Sequence, residues 1–110
     1  MLPEDFVEYA KRFEVGFLTT VKDEKPDIKV VSFEVKKDKI IVKDGDLPEE
    51  DVSLVFSNSH YTEEAEMVQI QGVLKKDDEG YQLVAEKIFW TLPFDLDKKS
   101  DVIIKRWRRG

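Results

Sequence analysis

Few side chains in this chain have the types and spacing that chemistry requires. The one histidine, His60, lies in a polar run over residues 57–64, and the 110 residues contain no cysteine. A lone imidazole with no second His or Cys nearby makes a poor metal site, so His60 reads as a solvated loop residue. No Gly-x-Ser-x-Gly surrounds a candidate nucleophilic serine, and there is no dinucleotide fingerprint or glycine-rich phosphate loop. The carboxylates come in runs, Glu49-Glu50-Asp51 and Glu63-Glu64 with Glu66, which is the pattern of a solvated face. Lys29 differs. It stands inside an apolar, β-branched run between Ile28 and Val30, where an exposed cation is tolerated but not required.

The elements that must position these residues follow from periodicity. Residues 2–12 read as a helix: Leu2, Phe6, Tyr9, Ala10 and Phe13 fall on one face, with Glu4 and Asp5 at the positive end of the dipole and Lys11 and Arg12 at the negative end. Residues 16–22 alternate as a strand, the segment 23–26 breaks it, and residues 27–35 resume as a second strand after Pro26. Ile28 and Val30 face one way; Val31, Phe33 and Val35 face the other. Apolar residues on both faces of this strand require a covering layer on each.

Further strands are expected over 39–43, 51–57 and 65–76. In the last, Val68, Ile70, Gly72 and Leu74 share a face, and Gly72 predicts a bulge or a close backbone approach. Residues 81–90, YQLVAEKIFW, fit either period; the preceding glycine and the Tyr, Val, Ile, Phe and Trp content favour a strand. Residues 91–99 read as loop. Ser100 reads as the cap of a short helix over 101–109, with Val102, Ile103 and Trp107 as its apolar side. Six strands at hairpin spacing with a helix at each end predict a mainly β protein, a small six-stranded antiparallel barrel in one domain over residues 1–110.

Composition narrows the function. With 24 acidic residues against 18 basic and a net charge of -6, the chain is a poor nucleic-acid binder, because cation–phosphate contacts supply most of that affinity. The basic residues concentrate at 105–109, where Lys105, Arg106, Arg108 and Arg109 face only Asp101. No apolar run approaches the roughly 20 residues of a membrane helix. Glu4 and Asp5 sit where a secretion signal would carry cations. The lack of cysteine fits a cytoplasmic protein, and the abundance of Lys and Glu resembles a thermophile's surface.

A first strand with Thr19-Thr20, a charged turn, Pro26 and a long apolar strand, all after an N-terminal helix, resemble the FMN-binding split-barrel family, whose best-known members are the pyridoxamine 5'-phosphate oxidases. The resemblance implies a homodimer binding FMN between its subunits. It implies that Lys29, in the run Pro26-Asp27-Ile28-Lys29-Val30-Val31-Ser32, reaches the flavin phosphate as a point charge. It further implies that Val30, Val31 and Ser32 line the isoalloxazine ring, that Lys43 assists at the phosphate, and that Trp90, or Trp107 with Arg106 and Arg108, closes over the cofactor from the partner. A deazaflavin or haem is an open alternative to FMN.

The chain departs from that pattern after the third strand. Flavin-binding members continue with a Thr or Ser and a short helix opening in a Ser-x-Lys-like pattern. Here residues 43–50 read Lys-Asp-Gly-Asp-Leu-Pro-Glu-Glu, with acids in place of cations. Two functions follow as expectations: a flavin-dependent oxidoreductase acting on a small molecule, or a dimeric barrel without cofactor that serves as a binding or scaffold protein.

Overall fold

The computed structural model describes residues 2–22, 24–44, 46–57, 64–92, 94–95 and 102–110. In chain order its elements are α1 (Glu4–Ala10), β1 (Val15–Lys22), β2 (Lys25–Val35), β3 (Ile40–Val42), β4 (Asp51–Ser57), β5 (Glu64–Ala65), β6 (Met67–Asp77), β7 (Gly80–Thr91), β8 (Phe94–Asp95) and β9 (Ile104–Arg108). The His60 loop, Pro93 and the Ser100 cap lie outside the described residues. No helix among the described residues is long and apolar enough to cross a membrane.

Alternation builds the barrel. Val52, Leu54 and Phe56 of β4 and Val68, Ile70 and Leu74 of β6 are buried, while their sequence neighbours are not. Strands β3, β2, β1, β4, β6 and β7 follow one another in hydrogen-bonded order, every pair antiparallel. β3 returns onto β7, Ile40 opposite Leu83 and Val42 opposite Tyr81. This is the six-stranded antiparallel barrel that the sequence predicts. Side chains fill it, as a barrel of this strand number requires: Phe56 lies 4.7 Å from Phe33 and 4.8 Å from Phe13, ring centre to ring centre. Helix α1 adds Phe6, Val7 and Ala10 to the same core, with Phe6 5.5 Å from Trp90.

Closure holds at one end only. β3 has 3 residues against 11 in β2 and 12 in β7. Beyond that short seam β2 and β7 part, and the barrel splits.

Gly72 makes the close approach expected of it. A Cβ there would meet the Val84 carbonyl oxygen at 2.2 Å. The register also shifts beside it, between Gln71 and Gly72. The extra residue is on the partner strand: Gln71 faces Lys87 and Gly72 faces Ala85, which leaves Glu86 unmatched. The inward face of β7 accordingly switches from Tyr81, Leu83 and Ala85 to Ile88 and Trp90.

Three expectations are corrected. The helix expected over 101–109 is a strand. β9 pairs antiparallel with β7, Trp107 opposite Ile88 and Lys105 opposite Trp90. The Arg109 N–H and Nε donate to the Glu86 and Ala85 carbonyls, both at 2.8 Å. The edge of β7 that β3 leaves free supplies a ladder that local propensity cannot foresee, and the ladder prevails. The strand expected over 65–76 is two strands parted at Glu66, whose carboxylate is buried and accepts from Arg12 at 2.8 Å. The expected loop after residue 90 contains β8, which pairs with β5.

Candidate functional site

The candidate residues sit on β2, whose two halves differ. Phe33, Glu34 and Val35 pair with β3, whereas residues 25–31 pair with β1 alone among the described residues. The Ser32 carbonyl accepts the Lys43 N–H at 2.8 Å, and the Phe33 N–H donates the other way, to Glu14. Even-numbered residues of β2 therefore direct their backbone groups toward the β3 side. Ile28 and Val30 present N–H and C=O at an edge that no strand pairs among the described residues. Pro26 has the same parity, so its missing N–H costs the ladder with β1 nothing.

Side chains alternate across this edge. Val31 points into the core, while Val30 and Ser32 lie on the outer, exposed face. Lys29 shares the inner parity of Val31 but emerges at the rim, where the β1–β2 hairpin extends past the core. There its Nζ pairs with Asp44 Oδ2 at 3.3 Å. Lys43 lies on the outer face and pairs with Glu34 Oε2 at 3.1 Å. The structure thus brings Ser32 and Lys43 together, and directs Lys29 and Lys43 to opposite faces of the sheet.

An open groove of about 770 Å³ is lined by Phe13, Val15, Ser32, Phe33, Glu34, Val35, Lys36 and Lys43 among others. Its cations are paired. Lys36 donates to Glu79 at 2.8 Å; that bond holds the lysine pKa above its ordinary value and the Glu79 carboxyl below its own. Lys11 pairs with Glu8 at 3.0 Å.

Trp90 is buried under α1 against Phe6, and Trp107 packs beside the core from β9. Arg106 and Arg108 are exposed opposite Phe89 and Lys87. Glu49 accepts the Lys76 N–H at 2.6 Å, a structural use of one acid in its run. No group of three His, Cys, Asp or Glu among the described residues could hold a metal ion.

Three residues have a different part from the one read in the sequence: Tyr9 of the apolar helix face and Arg12 of its last turn meet Glu66, and Glu66, expected on a solvated face, is buried. Arg12 stacks over the Tyr9 ring at 4.8 Å while it binds Glu66. The Tyr9 hydroxyl has no hydrogen-bond partner among the described residues, and burial, with the Glu66 charge second, pushes its pKa well above the ordinary range. The signal in the sequence is one acid interrupting the apolar alternation just before Met67.

The arrangement offers a strip of backbone donors and acceptors, unpaired among the described residues, beside an exposed apolar face. Such a strip fits the polar edge of a planar heteroaromatic ring. Six antiparallel strands that close at one end and part at the other define a split barrel. No protein-family model and no curated relative matches the chain. Among solved structures it is similar to the FAD binding protein from Mycobacterium smegmatis, with a TM-score of 0.62 and 15% identity over 98% of this chain and 97% of that one. The two chains share a fold.

Proposed function

We propose that this protein binds a flavin along the open edge of β2 and acts as a flavin-dependent oxidoreductase on a small molecule. The observation that carries the reading is the edge itself: Ile28 and Val30 expose backbone groups on a barrel shared with an FAD-binding protein. The sequence resemblance points to FMN and the structural likeness to an FAD-binding chain, so the reading rests on their common ring. A bound flavin would supply the redox chemistry; the chain would supply position and surroundings. The Val30 N–H and C=O would meet the ring's donor and acceptor atoms, and the Val30 side chain, with Phe17 opposite it, would shield one side from water.

We also propose a homodimer. Phe17, Ile28 and Val30 are 53%, 66% and 60% exposed on one outer face, and Val15 adjoins them. Contiguous exposed apolar surface of this kind favours association. A second copy seated there would enclose the ring.

The test is direct. The purified protein should be yellow, or should bind riboflavin, FMN or FAD at micromolar levels by fluorescence titration. A colourless protein without affinity for any of the three would leave the second reading, a dimeric scaffold without cofactor. That reading draws on the carboxylates already paired with Lys29 and Lys43.

A further inference from the structure

We infer that the ligand of the β2 edge is held by its uncharged ring, without a phosphomonoester as anchor. This rests on the flavin reading above and specifies the ligand class at the same site.

The argument is electrostatic and geometric. A phosphomonoester near neutral pH approaches a dianion, and a site for it gathers cations and N–H donors on one side. Here Lys29 and Lys43 lie on opposite faces of the sheet. Each also has its own carboxylate, Asp44 at 3.3 Å and Glu34 at 3.1 Å. The groove that continues from Ser32 repeats the pattern, with Lys36 on Glu79 and Lys11 on Glu8. Glu14 lines it as well. Among these described groups four lysines meet five carboxylates. A dianion entering would gain no excess positive charge, and it would have to displace ion pairs already formed. A neutral ring meets no such opposition, because the backbone edge at Ile28 and Val30 and the apolar face beside it carry no charge.

The experiment compares riboflavin, FMN and FAD on the full-length protein, at low and at high salt. The expected result is that FMN and FAD bind within about threefold of riboflavin, with little dependence on salt. A charge-assisted phosphate contact would instead favour FMN by about ten- to hundredfold and weaken with salt. That outcome, or an equivalent preference for FAD, overturns the inference while leaving the flavin reading intact. Failure of all three ligands to bind overturns the flavin reading, and the inference falls with it. Glu34→Gln supplies a second arm. Freeing Lys43 from its exposed partner should raise FMN affinity relative to riboflavin about threefold or more. An unchanged ratio in this variant would mean that the carboxylate is not what excludes the phosphate, and would overturn the inference.

Discussion

Two strands of this barrel are left short by the same neighbour, and the chain treats them differently. β3 pairs with only three residues of β2 and three of β7. On β7 the vacated edge is taken by β9, and Arg109 occupies the carbonyls at the Glu86 bulge. On β2 the vacated edge is taken by no strand among the described residues, and its outer face is apolar and exposed. Unpaired edges invite further pairing, and chains usually cover or blunt them. One edge here is sealed from within the chain. The other is the edge at which we propose a ligand and a second copy.

The contrast yields predictions on the two sides. The largest effect belongs to the sealed side. Gly72→Val drives side-chain atoms into the Val84 carbonyl, a backbone group that cannot swing aside. A loss of about 3 kcal/mol or more is expected in denaturant unfolding, or failure to fold. A variant as stable as the parent would show that β6 and β7 do not approach as described. Trp107→Ala tests whether β9 is an integral strand. Removal of a partly buried indole packed beside the core should cost about 2 kcal/mol, less than a fully buried aromatic would. A change within about 0.5 kcal/mol would class β9 as a surface appendage.

The open side should behave in the opposite way. Val30→Asp places a charge on an exposed site, so monomer stability should move by no more than about 0.5 kcal/mol. Flavin affinity and dimerisation should both fall, read by titration and by sedimentation. Retention of both would remove the β2 edge from the proposal.

The smallest effect is a pH dependence at the junction of α1 and β9. Lys105 donates to Asp5 at 3.0 Å and holds its carboxyl below the ordinary 3.8, with the Phe6 N–H assisting. A depressed folded-state pKa contributes stability that is present above 3.8 and is lost as pH falls through the folded value. Asp5 is largely exposed, so screening keeps the contribution small. Asp5→Asn should slightly flatten the acid limb of the stability profile and leave the neutral region unchanged. An acid limb identical to that of the parent would show the pair to be idle.

Much of the sealed side was legible in the residues. Alternation in β4 and β6 names the inward side chains, and Gly72 declares a close approach. The bulge was legible only as a location, since the extra residue, Glu86, stands on the facing strand. At the candidate site, the run from Pro26 to Ser32 marked the right strand. Its outer face was expected to lie under a helix or a second subunit; Ile28 and Val30 are exposed, so no helix among the described residues covers it.

Local pattern alone determined the β-rich class, the six barrel strands, the N-terminal helix and the segment worth examining, because those depend on which neighbours along the chain are apolar. Three-dimensional pairing decided the rest. Val102, Ile103 and Trp107 suit a helix as well as a strand until an edge of β7 lies open beside them. Lys29 and Lys43 look like partners at one anion until the register gives each a carboxylate and an opposite face. A charge's meaning depends on what stands a few ångströms away, and that is set by contacts remote in sequence.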